Sequence, residues 1–241
     1  MARFLLIHGS CHAAWCWDAT IAALKALGHE ATAIDLPAHG DGTPPEAVTL
    51  ADYADAILGA LDEPALVVGH SMAGVPLTLA AESAPERFER LVYLCAYLPG
   101  DGDSVGTLRR AQDSQPLLPA IRRERGSPVF GFDPELGRQI FYNDCSDAVA
   151  EAAIARLCPE PIAPQEERVT LHGKAQALPR SYILCSRDGA IPPEFQRRMA
   201  GALPLADLHE RDWSHSPFLS DPEGLAALLD KIAGATPAQT V

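Results

Sequence analysis

Six short, mostly apolar runs punctuate this chain, at residues 4–8, 31–36, 66–69, 91–95, 181–185 and 205–209, each bounded by Gly, Pro or Asp. A strand whose two alternating sets of side chains are both apolar has to be covered on both faces, which is the situation of a parallel sheet sandwiched between helices. Segments with helical patterning fill the gaps, at 18–27, 50–61, 72–82, 194–202 and 222–233. Thr49 is placed to cap the second of these, and Ser220 or Asp221, followed by Pro222, to open the last. Strand and helix in alternation predict an α/β fold with a doubly wound, mostly parallel sheet. A length of 241 residues suits one such domain, since a single core grows to about 250 residues before chains divide.

The alternation stops after Ala96 and resumes only at the run 181–185, although a crossover between parallel strands needs only about a dozen residues. The reading is a core built from residues 1–96 and 180–241, with 97–179 inserted as a mainly helical cap over the C-terminal edge of the sheet, where open α/β sheets bind their ligands. The insertion has its own helical pattern at 146–157, the aromatics Phe130, Phe132, Phe141 and Tyr142, and a return through Pro159, Pro161 and Pro164 expected to be semi-rigid. Its basic cluster, Arg109, Arg110, Arg122, Arg123 and Arg125, reads first as a solvated helix face, with an anion-binding role as the lesser alternative.

Charge narrows the function classes. Nineteen basic against 32 acidic side chains give a formal net charge of −13, which repels phosphate backbones and anionic lipid, so neither nucleic acid nor a membrane surface is expected as a partner. The uncharged stretch 64–81 is broken by Gly69, His70, Ser71, Gly74 and Pro76, a poor bilayer span. The first residues lack a signal-type apolar region, so an unprocessed, cytoplasmic chain with reduced thiols is expected. Cys11, Cys16, Cys95, Cys145, Cys158 and Cys185 contain no C-x-x-C pair, and read as buried or isolated thiols.

The chemistry is carried by four segments. Gly69-His70-Ser71-Met72-Ala73-Gly74 follows a strand and opens a helix, the setting of a nucleophile elbow, in which a serine sits on a turn so tight that its neighbours must be small. A serine hydroxyl needs a base, and the base needs an acid to hold its tautomer. His215 lies in the loop between the last strand and the last helix. His209 falls within a strand, His172 in the return of the insertion, His29 and His39 in early loops, and His70 on the turn itself, where neighbouring side chains diverge. Asp188 follows the penultimate strand and gives the chain order Ser, Asp, His; Asp207 falls in a strand pattern, and Asp212 shares the loop of His215. The loop His8-Gly9-Ser10-Cys11-His12 leaves the first strand with a glycine for close backbone approach, and the N–H groups of Ser10 and Met72 are the expected oxyanion donors. No H-E-x-x-H, paired Cys/His ligands or phosphate-cradling G-x-x-x-x-G-K-[ST] occurs, so neither metal nor cofactor is expected.

These segments, with Asp35-Leu36-Pro37-Ala38-His39-Gly40 and Ala13-Ala14-Trp15, resemble the plant methylesterase and hydroxynitrile lyase group of α/β-hydrolases, including its bacterial esterase-like members. The likeness is tightest over the first ninety-odd residues and from Pro179 onward. Ala13 and Ala73 depart from it, at positions where the group usually has glycine. The resemblance implies the α/β-hydrolase fold and cofactor-free acyl-ester chemistry with Ser71, Asp188 and His215 as triad, often in a homodimer. It also separates two chemistries. The lyases of this group carry a lysine directly after the triad histidine and tend to have a threonine in the first-strand loop, whereas this chain has Ser216 and Gly9. The expectation is therefore a serine carboxylic-ester hydrolase acting on a small, mainly apolar ester. The alternatives are lyase-type C–C cleavage, or a ligand-binding receptor module on the same fold with a vestigial triad.

Overall fold

In the computed structural model, which describes residues 1–235, the strands are β1 (Arg3–Ile7), β2 (Glu30–Ile34), β3 (Ala65–His70), β4 (Phe88–Leu94), β5 (Ile121–Arg122), β6 (Val129–Phe132), β7 (Glu160–Pro161), β8 (Arg180–Cys185) and β9 (Leu208–Arg211). Six of them form one sheet in the order β2-β1-β3-β4-β8-β9, parallel at every pairing. The helices are α1 (Asp18–Ala26), α2 (Leu50–Gly59), α3 (Gly74–Ser83), α4 (Val105–Arg110), α5 (Pro134–Phe141), α6 (Asp147–Ile154), α7 (Ala163–Glu166), α8 (Lys174–Ala177), α9 (Pro193–Ala200), α10 (Pro217–Ser220) and α11 (Pro222–Gly234). No helix among the described residues is long and apolar enough to cross a membrane.

Alternation along β1 explains its unbroken apolar sequence. Phe4 and Leu6 face one side, where Leu66, Val68, Val92 and Ile183 meet Leu24 of α1 and Leu225, Leu229 and Ile232 of α11. Leu5 and Ile7 face the other, where Val67, Leu91, Tyr93 and Tyr182 meet Ile57 of α2, Leu77 of α3 and Phe195 of α9. Each such side chain, fully buried, stabilises the fold by about 1.5–3 kcal/mol relative to its exposed state. The helix ends follow from local chemistry. Thr49 and Asp52 close a reciprocal capping box on α2, and the Asp221 side chain accepts from Gly224 N–H at the start of α11.

The chain steps from β1 outward to β2, then crosses back to β3 and continues to β4 on the other side. The order therefore reverses between β1 and β3, and at such a switch point the loops leaving adjacent strands diverge and open a crevice. Both loops singled out from the sequence, after Ile7 and after His70, leave the sheet there.

One expectation changes. The run 205–209 is not a strand throughout. Residues Leu205–Asp207 form a 3₁₀ turn after Pro204, and β9 begins at Leu208, because the Asp207 carboxylate turns in to meet the Arg90 guanidinium at 2.8 Å. The segment 97–179 carries the helices α4–α8, as expected, and adds an element the sequence did not predict, a three-stranded antiparallel sheet of β5, β6 and β7. Gly126, at φ 82°, supplies the left-handed residue that reverses the chain between β5 and β6. The proline-rich return is folded: Pro161 lies in the edge strand β7, where its missing N–H is tolerated, and Pro164 lies in α7.

Candidate active site

Ser71 is one of four non-glycine residues with positive φ among the described residues. It follows β3 with φ at 55°, a left-handed conformation that costs a non-glycine residue about 1–3 kcal/mol and persists only where the surroundings enforce it. The enforcement is visible. Gly69 has the Ala73 carbonyl oxygen and a Leu77 methyl each 3.0 Å from where a Cβ would stand, and at Gly74 a Cβ would collide with the Tyr97 carbonyl oxygen. The glycine required after the serine is thus Gly74, and Ala73 in the preceding position is buried without needing to be one. The Tyr97 N–H donates to the Ser71 carbonyl at 2.9 Å. Because a trans peptide holds its C=O and N–H on opposite sides, this bond turns the Met72 N–H the other way.

The loop after β1 obeys the same logic. Leu36 N–H donates to His8 Nε2 at 3.0 Å, so the proton of His8 is on Nδ1, which donates to the Gly9 carbonyl at 2.9 Å; burial pushes the His8 pKa well down and keeps it neutral. His12 N–H donates to the same carbonyl at 3.2 Å. Burial also pushes His12 down to about 4. Its neutral ring donates from Nδ1 to the Ser10 carbonyl at 2.9 Å and accepts the Tyr142 hydroxyl at Nε2 at 2.7 Å. Cys11, at φ 61°, gives its N–H to the Glu160 carboxylate at 2.9 Å. With the Gly9 carbonyl pinned, the Ser10 N–H is directed away from it. Gly9 itself is obligatory, since a Cβ there would stand 2.7 Å from His70 Nδ1 and 2.9 Å from the Ser71 Cβ. Among the described residues, neither the Ser10 N–H nor the Met72 N–H is donated to a protein acceptor.

His215 lies in the loop after β9, and its Nδ1 is 2.8 Å from Asp188 Oδ2. Asp188, in the loop after β8, also accepts Ala190 N–H at 2.7 Å and Ile191 N–H at 3.0 Å on Oδ1, and Gln196 Nε2 at 2.8 Å on Oδ2. Every neighbour of this carboxylate is a donor, so Nδ1 of His215 carries the proton and Nε2 presents its lone pair. Asp212 makes no such contact: its side chain is 80% exposed and pairs with Arg187 at 3.1 Å. Asp207 is held by Arg90.

Three supports were not evident in the sequence. His70 does not merely diverge from the elbow; its Nε2 donates to the His215 carbonyl at 2.9 Å, and the two rings lie 4.6 Å apart. Gln196 of α9 bridges Asp188 and the Ile191 carbonyl, the latter at 2.8 Å. Asp144, from the inserted segment, accepts the Ser214 N–H at 2.8 Å and also the Ser214 hydroxyl, fixing the residue before His215. The one trace of Gln196 in the sequence is a polar residue four before Ala200 and next to Phe195, on the side of α9 that the structure buries.

Ser10, His12, Ser71, Met72 and His215 line one cavity, together with Tyr97, Phe130, Phe132, Phe141 and Ile191. The cavity measures about 140 Å³, room for several waters, each taking about 30 Å³, and hence for a small organic molecule. Phe130 and Phe132, two apart on β6, share the face that lines the cavity, which is the use made of the unexpected strand. His70, Cys95 and His215 bring ligating atoms within 4.8 Å of one another, but the set is poorly suited to a metal. Burial keeps Cys95 a thiol, and His70 Nε2 and His215 Nδ1 are already committed.

A positive-φ serine between β3 and α3, at the switch point of a parallel sheet and beside a carboxylate-held histidine, defines an α/β-hydrolase. Residues 4–228 match the Alpha/beta hydrolase family, and the chain belongs to it. Within that family it belongs with the plant methylesterases. It is 32% identical to Methylesterase 7 of Arabidopsis thaliana and 29% identical to Salicylic acid-binding protein 2 of Nicotiana tabacum, in each case over 96% of both chains. Among solved structures, a pyrethroid hydrolase from Sphingobium faniae JZ-2 superposes with a TM-score of 0.86 at 26% identity, covering 97% of this chain and 98% of that one. An extracellular alpha/beta-hydrolase from a Paenibacillus species gives 0.85 at 27% identity, covering 96% and 98%.

Proposed function

We propose that the protein is a serine carboxylic-ester hydrolase acting on a small, mainly apolar ester. Ser71 Oγ attacks the carbonyl carbon and its proton passes to His215 Nε2. Asp188 holds the imidazole in that tautomer and stabilises the imidazolium. The carbonyl oxygen, now negative, lies against the Ser10 and Met72 N–H groups, donors of the kind whose single removal costs about 10²–10³ in rate. The tetrahedral intermediate collapses, the C–O bond to the alcohol breaks, and the alcohol leaves with the proton from His215. Water then repeats the sequence on the acyl-enzyme, returning the acid and free Ser71. The observation that carries this reading is the convergence on one cavity of Ser71, the Asp188-bound His215 and two backbone donors spent on no protein acceptor. The names of the relatives, methylesterases among them, support ester chemistry with a small alcohol.

The test is hydrolysis of short p-nitrophenyl and methyl esters by the purified protein and by Ser71→Ala. The expected result is turnover in the wild type, a fall in kcat on the order of 10⁶-fold in the variant, and no cyanide release from mandelonitrile above background. Ligand binding without turnover of any ester would favour the receptor reading, and Ser71-dependent cyanide release without esterase activity the lyase reading.

A further inference from the structure

The arginines of residues 109–125 do not share a helix face. Arg109 and Arg110 end α4, Arg122 ends β5, and Arg123 follows it. Arg110 is bonded through both terminal nitrogens to the Glu166 carboxylate at 3.0 and 2.8 Å, and Arg122 pairs with Asp133 at 2.9 Å. Arg109 and Arg123 differ from these in two respects. Both line the cavity that holds Ser71 and His215, and their side-chain partners are neutral. Arg109 Nη1 donates to Gln115 Oε1 at 3.3 Å, while Gln115 Nε2 donates back to the Arg109 carbonyl at 2.7 Å. Arg123 Nη2 donates to the Ser127 carbonyl at 3.3 Å. Neither forms an ion pair among the described residues. The anion on this wall, Glu166, is taken up by Arg110 and packs against Gly106, where a Cβ would stand 2.6 Å from its Oε1. The Arg110 hydrogen bond, with the added charges of Arg109 and Arg123, holds the Glu166 carboxyl below its ordinary range.

A positive lining is unexpected in a chain of net charge −13, whose overall field repels anions. Amide and carbonyl partners position these guanidiniums while leaving their charge uncompensated, and the fork of N–H donors on arginine fits a carboxylate in two parallel bonds. The same cavity is also lined by the apolar side chains Phe130, Phe132, Phe141 and Ile121. We propose that the site takes a half-ester: an apolar body whose one end is the scissile ester, at Ser71, and whose other end is a carboxylate, received by Arg109 and Arg123. This rests on the esterase reading and names the substrate class within it.

The test pairs esters that differ only in the remote charge: monomethyl against dimethyl succinate, adipate and suberate, the series allowing for reach. The expected kcat/KM ratio of half-ester to diester is at least about tenfold at the best length, falling as salt rises. Arg109→Gln with Arg123→Gln should bring that ratio close to one, Arg109→Lys should restore part of it, and Arg122→Gln, whose residue lies outside the cavity, should leave it unchanged. Calorimetry of the half-esters with Ser71→Ala reads the subsite without turnover. Binding that Arg109→Gln weakens about tenfold supports the anion subsite even if the wild type hydrolyses neither ester, a result that would remove the esterase reading alone. Diester turnover with a ratio near one at every length, and half-ester binding indifferent to Arg109→Gln, would overturn the subsite and leave the esterase reading standing.

Discussion

At the scale of single residues the proposed chemistry depends on position, and Asp188 shows how sharply position separates look-alikes. Asp188 and Asp212 both lie within reach of His215 along the chain, but only Asp188 is buried against its Nδ1, with Ala190, Ile191 and Gln196 orienting the carboxylate. Asp188→Asn should lower kcat by about 10⁴-fold, because the amide favours the wrong imidazole tautomer; Asp212→Asn should change it less than about threefold, as expected of an exposed surface pair. Steady-state kinetics on the two variants decides the assignment, and the reverse ranking would refute it. Ser71, Asp188 and His215 could be singled out as candidates because each combines a reactive residue type with a loop at a strand end, and the structure brings them to one cavity or into contact. His70, Gln196 and Asp144 could not, because their roles consist of contacts through space that no spacing rule encodes. The basic cluster was misjudged for a similar reason. Adjacent numbers suggested one helix face, whereas the chain turns between Arg110 and Arg122 and brings Arg109 and Arg123 to the cavity wall.

At the scale of elements, β7 does more than its two residues suggest. Glu160, wholly buried, accepts the Cys11 N–H, His39 Nε2 at 3.0 Å, the Tyr53 hydroxyl at 3.1 Å and Gln165 Nε2 at 2.7 Å, and so ties the inserted segment to the loop that presents Ser10. Burial alone would lower the His39 pKa, but the hydrogen bond and charge of Glu160 outweigh it and the net shift is upward. A raised folded-state value means that this contribution to stability is complete below the ordinary histidine value of about 6.5 and is lost as pH rises through the folded value. Glu160→Gln should therefore destabilise the protein by about 3 kcal/mol near pH 5.5, and the Tm gap to wild type should narrow toward about pH 9. Thermal melts across that range test it, and a gap that stays constant or widens with pH would contradict the pairing. The principal strands and helices were legible because period and punctuation agree along them. The exceptions have local causes: Asp207 turns inward to Arg90 and delays β9, and β6 packs as a strand because Phe130 and Phe132 share one face over the cavity, a spacing too short to oppose a helical reading.

Across the whole molecule, the arrangement follows from topology. Parallel strands send their C-terminal ends to one edge, the reversal between β1 and β3 opens a crevice there, and the loops after β1, β3, β8 and β9 deliver Ser10, Ser71, Asp188 and His215 to it. The inserted segment closes the crevice with aromatic and cationic walls; its helical pattern at 146–157 is found as α6, but the rest of its path could not be read from the sequence because the two-residue strands β5 and β7 and the four-residue helices α7 and α8 leave too few residues for a period to register. The central claim is that Ser71 is an activated nucleophile, and covalent labelling tests it most directly. A fluorophosphonate probe should modify the protein to one equivalent, with the adduct mapped by mass spectrometry to the peptide carrying Ser71, and Ser71→Ala or His215→Ala should not react. An adduct on another residue, or labelling that persists in Ser71→Ala, would contradict the assignment.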